Sequence, residues 1–241
     1  MDSLGASFEN SFKSIRERLN PNAVAIQLPI GSENNFEGVI DLLRKKAYRF
    51  EGDKGEKIVE SEIPENMKAE SAKWRHELIE KIVEQDDKAM ADYLEGKEPA
   101  LEDLKRILRK ASLEVKIIPV LTGSALKNKG TQLMLDAVVD YLPSPLDLPP
   151  TKGIDMNTGE PITRKPDDNE PLAALAFKIA ADPFVGSLTY FRVYSGVMKK
   201  GSYVLNSTKN NKERISRIVR MHANHREEVD EISAGNLGAL V

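Results

Sequence analysis

The chain has 241 residues, with 35 Lys and Arg against 38 Asp and Glu and no cysteine. The length allows one or two domains, and a net charge of −3 excludes a chain that is basic throughout, as a nucleic-acid coat would be. The lack of cysteine excludes disulfides, thiolate metal sites and cysteine nucleophiles. No apolar run is long enough to cross a bilayer, so we expect no membrane partner. The near-neutral charge does not favour DNA as a partner. The lack of cysteine fits a reducing cytosol, so we expect a cytoplasmic protein.

The net charge is close to zero, but the chain contains two stretches of opposite charge. Residues 51–104 contain 17 acidic and 8 basic residues, whereas residues 178–226 contain 2 acidic and 10 basic residues. Such an asymmetry indicates separate modules with separate partners. The alternative is solvated surface on a single fold.

The N-terminal half is predicted to mix helices and strands. Phe8, Phe12, Ile15 and Leu19 recur at spacings of four and three, which predicts a helix within residues 1–19. Further elements are predicted from apolar patterning and from prolines at helix starts. They are strands at 23–30, 36–41 and 46–50, and helices that start near Pro64, span 88–94 and start at Pro99.

A second pattern follows at residues 115–144. The apolar run 115–121 (VKIIPVL) is typical of a buried strand. A loop then leads at Gly130 to a helix that Pro143 stops, so this part predicts the last strand–loop–helix unit of an α/β domain. The prolines that follow predict a stiff linker and a domain boundary.

Beyond Pro171 the pattern becomes all-β. Short, regularly spaced strands indicate a small barrel. They are predicted at 172–180, 187–194, 202–206 and 214–221. Because the last residues, Gly238–Val241, are predicted to lie within a strand, we expect the barrel to be truncated.

The loop Gly123–Lys127 (GSALK) has the most specific chemistry in the chain. It lies between a buried strand and a helix, at the carboxyl edge of a sheet where α/β folds bind ligands. Backbone amides there can donate to guanine O6, and a nearby Asp can accept from guanine N1–H and the N2 amino group. Adenine lacks these donors and would be rejected. Asp2, before the first helix, is in the position of the last residue of an Asn-Lys-x-Asp motif.

Other patterns do not indicate catalysis or metal binding. No phosphate-cradling Gly-x-x-x-x-Gly-Lys-[Ser/Thr] pattern occurs, so we expect no catalytic residue in the chain. His222 and His225 form an HxxH pattern, but a strand-to-loop context does not favour a metal site. The carboxylates of residues 51–104 lack an apolar setting that would raise a pKa.

Six runs resemble one protein family, and together they extend over nearly the whole chain. The chain resembles bacterial translation elongation factor G, a translational GTPase. The runs are Gln27–Gly31, Gly123–Gly130, Asp140–Pro145, Pro171–Lys178, Arg192–Gly196 and Met221–Glu228.

The resemblance implies a multi-domain fold of the α/β plus β class. Residues 1–19 and 116–144 would be the C-terminal part of a P-loop-type GTP-binding α/β domain, and residues 20–115 an inserted α+β subdomain. Residues 145–170 would be a linker. Residues 171–241 would form a truncated antiparallel β-barrel, the second domain of the family.

The resemblance also implies the nucleotide site. Asp2 corresponds to the guanine-reading Asp, and Ser124, Ala125 and Leu126 correspond to the guanine-contacting loop. The family's phosphate loop, switch regions and catalytic residues have no counterpart here. GTP or GDP with Mg²⁺ would therefore bind the parent protein, a GTP hydrolase that promotes translocation of tRNA and mRNA, and neither is expected on this segment alone.

The ribosome is the partner that the resemblance implies. The acidic insert would bind the ribosomal stalk protein, and the barrel would contact ribosomal RNA, with ordinary surface charge as the alternative. A strand at 214–221 would place Arg214 and Arg220 on one face and Arg217 on the other. The candidate RNA contacts are Lys199, Lys200, Lys209, Lys212, Arg214, Arg217 and Arg220.

Two other interpretations remain open. The parent protein could be another translational GTPase, related to release factor 3 or to the ribosome-protection proteins. The chain could also be a non-enzymatic ribosome-binding module that keeps the scaffold alone.

Overall fold

The structure is a computed structural model that describes residues 1–52, 54–156, 158–182, 186–223 and 225–241. Asn224, within the run Met221–Glu228, lies outside the described residues. The chain forms two compact units, Met1–Leu142 and Pro143–Val241. Sheets in both units are mainly antiparallel, and the helices of eight or more residues in the described part of the chain lie in the first unit.

The first unit opens with helix α1 (Phe8–Arg18), capped by Ser7, whose hydroxyl accepts from the Asn10 N–H. Strand β1 (Ala23–Ala25) follows and pairs in parallel with β6 (Ile118–Val120). A four-stranded antiparallel sheet lies between them in sequence. Its strands, in spatial order, are β2 (Gln27–Ile30), β3 (Gly38–Asp41), β4 (Lys46–Glu51) and β5 (Lys57–Ser61).

The predicted strand 23–30 is divided between two sheets at Ile26. The Ile26 N–H donates to the Val120 carbonyl at 3.0 Å, and the Ile26 carbonyl accepts from the Leu42 N–H at 3.0 Å. One residue therefore bonds to both sheets. Because β1 pairs with β6, the four-stranded sheet starts after Ala25.

Helices cover this sheet and complete the core of the first unit. Those predicted near residues 64, 88 and 99 are confirmed, as α2 (Lys68–Val83), α3 (Asp87–Leu94) and α4 (Leu101–Leu113). Leu78, Ile82, Leu104 and Leu108 are all at most 2% exposed and pack with Leu28, Ile40 and Leu42 of the sheet region. Burial of this apolar surface is the main force that holds the unit together.

The strand–loop–helix unit is more exposed than the sequence predicts. All three residues of β6 are only partly buried. In helix α5 (Thr131–Tyr141), Leu133 and Tyr141 are buried, but Met134 and Val138 are 45% and 43% exposed. Apolar periodicity located the helix, but it does not identify which part of the apolar face is covered.

The second unit begins with a hairpin inside the range expected to be a linker. Strands β7 (Thr151–Ile154) and β8 (Pro161–Arg164) pair antiparallel. A five-stranded antiparallel sheet follows, in the spatial order β15 (His225–Val229), β14 (Ile218–His222), β17 (Leu237–Leu240), β10 (Gly186–Ser195) and β9 (Ala173–Asp182).

Two short ribbons accompany this sheet. Strand β11 (Met198–Lys199) pairs with β16 (Glu231–Ile232), and β12 (Tyr203–Asn206) pairs with β13 (Asn211–Arg214). One of the core clusters of the unit contains six buried side chains among the described residues. They are Phe191, Val193, Met198, Ile215, Ile218 and Ile232.

The predicted strand 214–221 is wrong, because the structure breaks it after Arg214. Ile215 is 3% exposed; its N–H donates to the Ser202 carbonyl at 2.9 Å, and its carbonyl accepts from the Gly201 N–H at 2.7 Å. The chain therefore changes direction at Ile215, which is buried and separates β13 from β14. Arg214 and Arg220 belong to different sheets and do not share a strand face.

In the part of the chain that the structure describes, no helix combines the length and apolar character needed to span a bilayer.

Candidate functional site

Asp2 and Ser124, separated by 122 residues in sequence, meet in the first unit. A side-chain hydrogen bond with Ser124 is the largest cause that holds the pKa of the Asp2 carboxyl below its usual range, and the Asp2 backbone N–H adds to it. The positive charges of the Met1 amine and of Lys127 act in the same direction more weakly. Asp2 is therefore ionised at neutral pH and presents acceptor oxygens beside the loop.

The loop 123–130 is a narrow turn closed by its own backbone. The Ser124 N–H donates to the Lys129 carbonyl at 2.8 Å, and the Lys129 N–H donates to the Ser124 carbonyl at 2.9 Å. Gly130 has φ +88°, and a Cβ on Gly123 would lie 2.7 Å from the Lys129 carbonyl oxygen. Gly130 thus allows a left-handed backbone conformation, and Gly123 allows the two sides of the turn to lie closer together than a side chain would permit.

The outer part of this loop leaves backbone donors open. Ser124 is buried, and its Oγ accepts from the Lys127 N–H at 3.1 Å. Ala125 and Leu126 are exposed, and among the described residues their N–H groups have no hydrogen-bond acceptor. One ionised carboxylate and two free amides therefore lie at one edge of the unit, a set that can bind a base with adjacent donors and a carbonyl oxygen.

The four-stranded sheet region holds the loop in place through contacts that the sequence analysis missed. Asn128 Nδ2 donates to the Lys54 carbonyl at 2.8 Å, and Lys129 Nζ donates to the Phe36 carbonyl at 2.8 Å. Gln132 Nε2 donates to the Gly55 carbonyl at 3.2 Å. No sequence signal identifies these contacts, because all three carbonyls are backbone groups more than 70 residues away.

The seven predicted RNA contacts fall into two groups in the second unit. Each member of the first group forms an ion pair with an acidic residue that follows position 226. Lys199 lies 3.7 Å from Glu231, and Lys200 and Arg217 each lie 3.5 Å from Glu228. The members of the second group form no ion pair among the described residues. This group comprises Lys209, Lys212, Arg214 and Arg220.

Two members of the second group lie on one exposed face of the β12–β13 ribbon. Arg214 is directly opposite Tyr203, and Lys212 is directly opposite Leu205. Residues that face each other across a hairpin project to the same side. We call Tyr203, Leu205, Lys212 and Arg214 the ribbon face. Tyr203 was not predicted from the sequence, because the run 203–205 (YVL) has no polar–apolar alternation that would mark an exposed strand face.

The histidines of the HxxH pattern face each other across β14 and β15. His222 pairs with His225, and His222 Nε2 lies 3.3 Å from Glu227 Oε2. The described residues contain no group of three or more His, Asp or Glu side chains that could hold a metal ion.

Comparisons with known proteins show similarity to parts of two proteins or families. The model of the family described as "Elongation factor Tu domain 2" matches residues 186–241. A solved structure from Thermus thermophilus, described as "Crystal structure of ttk003000868", is 26% identical, with a TM-score of 0.75 over 98% of this chain. The chain spans only 32% of that protein's chain. The family model thus matches part of the second unit, and nearly the whole chain is similar in fold to part of the Thermus protein.

Proposed function

We propose that this chain is a segment of translation elongation factor G, the GTPase that promotes ribosomal translocation. Its first unit would carry the base-reading part of the guanine nucleotide site. The observation that carries the proposal is the meeting of Asp2 with the Ser124 loop across 122 residues. GTP or GDP with Mg²⁺ would bind the parent protein, whose remaining residues would supply the phosphate cradle and catalytic groups.

Guanine would be selected by its pattern of donors and acceptors. Its N1–H and N2 amino group would donate to the ionised Asp2 carboxylate, and its O6 would accept from the free amides of Ala125 and Leu126. Adenine presents an amino group to the amides and no N1–H to the carboxylate, so binding would leave Asp2 desolvated and unpaired. The low pKa of Asp2 keeps this acceptor ionised at physiological pH.

Amide chemical shifts of the isotope-labelled chain test this assignment. We expect guanosine to shift the amide signals of Ala125 and Leu126, and adenosine at the same concentration to leave them in place. Asp2→Asn should remove the guanosine response, because the side-chain amide places a donor against the guanine donors. An equal response to adenosine, or an Asp2→Asn variant that responds like the original chain, would contradict the proposal.

The alternatives are another translational GTPase, of the release factor 3 or ribosome-protection type, and a non-enzymatic ribosome-binding module. The open reading frame around this segment distinguishes them. An intact phosphate loop and an Asn-Lys pair before Met1 would favour an enzyme, and the domains after Val241 would identify which translational GTPase it is.

The second unit would dock on ribosomal RNA through its free cations. Lys209, Lys212 and Arg214 make no ion pair among the described residues, so forming phosphate contacts would break no internal pair. Contacts to phosphates would position the factor without reading the base sequence. The three paired cations of the first group are weaker candidates, because docking would have to replace Glu228 and Glu231.

A charge-reversal variant tests this docking on the whole chain. Changing Lys209, Lys212 and Arg214 to Glu should weaken binding to purified ribosomal RNA. It should also flatten the log–log salt dependence by roughly 0.7–0.9 for each phosphate that the variant no longer touches. The matched control reverses three exposed lysines of the first unit, which changes the net charge equally. They are Lys13, Lys73 and Lys88. Equal effects of both triple variants would mean that total charge, not this surface, determines binding.

The acidic helices would bind the ribosomal stalk protein. Some carboxylates of this acidic region are already paired internally; Glu98, in the loop between α3 and α4, contacts Arg75 and Lys45. Glu70, Asp87 and Glu102 are exposed and, among the described residues, have no ion pair. Changing these three to Lys should weaken binding of the chain to purified stalk protein in calorimetry. Unchanged affinity in a folded variant would contradict the proposal.

A further inference from the structure

The ribbon face combines an unpartnered aromatic ring with free cations. Tyr203 is 68% exposed and Leu205 is 52% exposed, beside the exposed Lys212 and Arg214 of the opposite strand. Within the described residues, the Tyr203 ring and hydroxyl make no hydrogen bond, ring contact or cation contact. Lys209, in the turn between the strands, adds a third positive charge at the end of the same ribbon.

The opposite side of the ribbon holds it in a fixed shape. Val204 packs against the core of the second unit, and Asn206 Nδ2 donates to Glu213 Oε1 at 2.8 Å. Asn206 Oδ1 accepts from the N–H groups of Thr208 and Lys209, each at 3.1 Å. The one carboxylate in the two strands, Glu213, is thus bonded on the opposite face. The ribbon face itself carries only positive charge.

We propose that the ribbon face binds an unpaired nucleotide of RNA, with the base stacked on Tyr203 and the adjacent phosphates held by Lys212, Arg214 and Lys209. This inference rests on the proposed RNA docking of the second unit and specifies the chemistry that the docked RNA must present. Phosphates alone would need only the cations. A large exposed ring beside Arg214, on the same face as Lys212, is suited to the flat face of a base, which only an unpaired nucleotide can offer.

Fluorescence anisotropy with two labelled RNA hairpins tests this proposal on the whole chain. One hairpin carries a single bulged adenosine, and the other is fully paired with the same stem. We expect the original chain to bind the bulged hairpin more tightly. Tyr203→Ala should weaken binding of the bulged hairpin by about 5- to 150-fold and hardly affect the paired one. Tyr203→Phe should retain the preference, because the ring and not the hydroxyl makes the contact.

The salt dependence separates stacking from charge. Tyr203→Ala should leave the slope unchanged, because the ring carries no charge, whereas changing Lys209, Lys212 and Arg214 to Glu should flatten it. Phe177→Ala is the matched control, since Phe177 is 52% exposed on β9 of the same unit and should matter to neither hairpin. Thermal melts verify that each variant is folded.

The two proposals fail in different ways. If both hairpins bind with a salt slope that depends on the cations, but Tyr203→Ala binds them like the original chain, the RNA docking stands and the stacking is refuted. If neither hairpin binds, or the charge reversal has no effect, both proposals are refuted. If a poly-glutamate peptide binds as tightly as the bulged hairpin and is equally weakened by Tyr203→Ala, the surface binds acidic protein, and the nucleotide proposal is refuted.

Discussion

Leu108 allows a quantitative test of how burial stabilises the unit that carries the guanine-site loop. Its side chain is fully buried in α4, among Leu78, Ile82 and Leu104, which are at most 2% exposed. Leu→Ala changes in protein cores cost about 2–5 kcal/mol, from lost apolar burial and from the cavity left behind. Because the surrounding side chains are apolar and offer no partners to a water molecule, we expect Leu108→Ala to leave an empty cavity and to cost about 3–4 kcal/mol.

Trp74 provides a specific reporter for this experiment. It is the only tryptophan of the sequence, and it packs edge-on against Phe8 and Phe12, with ring centroids 5.6 and 5.3 Å away. Urea unfolding followed by its fluorescence should therefore report on the first unit. At typical slopes of about 1–3 kcal/mol per molar urea, the urea concentration at the unfolding midpoint should fall by roughly 1–4 M.

The matched control is Leu135→Ala. Leu135 lies in α5 of the same unit but is 55% exposed, so its loss should change the free energy of unfolding by about 0.5 kcal/mol or less. Similar costs for the two variants, or a cost below about 1 kcal/mol for Leu108→Ala, would refute the reasoning from burial.

Two further predictions use the same Trp74 assay. Gly130→Ala should lower the free energy of unfolding by roughly 1–2 kcal/mol, because φ is +88° and the new Cβ would lie 3.2 Å from the Thr122 carbonyl oxygen. The control, Gly96→Ala, has φ +85° but open space around the new Cβ, so it should cost less. The reverse order would contradict the role of the contact with Thr122. The Asp86 carboxylate caps α3 by accepting from the Ala89 N–H, and this hydrogen bond is the main cause that lowers the pKa of Asp86. Ionised Asp86 therefore stabilises the fold above about pH 4, and this effect is lost as the pH falls through the lowered pKa. Asp86→Asn keeps an acceptor but does not titrate, so its stability should fall less on acidification, and parallel pH profiles would refute the assignment.

Helices were predicted more accurately than strands, and the reason is local. The pattern of Leu101, Leu104, Ile107 and Leu108 defines α4, since a helix makes its hydrogen bonds within a few residues. The predicted strand 23–30 could not reveal its change of partner at Ile26. Strand pairing joins residues far apart in sequence, and a strand that passes from one sheet to another can stay apolar throughout.

In the candidate site, too, contacts between residues far apart in sequence could not be predicted. The chemistry of guanine requires a carboxylate near the Ser124 loop, so Asp2 could be named from the sequence, although its role in binding is still a prediction. The contacts that fix the loop depend on carbonyls of Phe36, Lys54 and Gly55, to which any residue type would contribute equally. Tyr203 was missed because its exposure and its position opposite Arg214 follow from the hairpin register.

The parallel pairing of β1 with β6 has a consequence for how the length of this chain can change. Residues 26–117 leave at the C-terminal end of β1 and rejoin at the N-terminal end of β6. Because the two strands are parallel and short, the two ends of the segment are held roughly 14 Å apart. The entropic cost of closing such a segment grows only with the logarithm of its length, by about 0.6 kcal/mol for each doubling. Homologues should therefore tolerate large insertions and deletions in the exposed turns of this segment, while the spacing between β6 and α5, which forms the Ser124 loop, should remain constant.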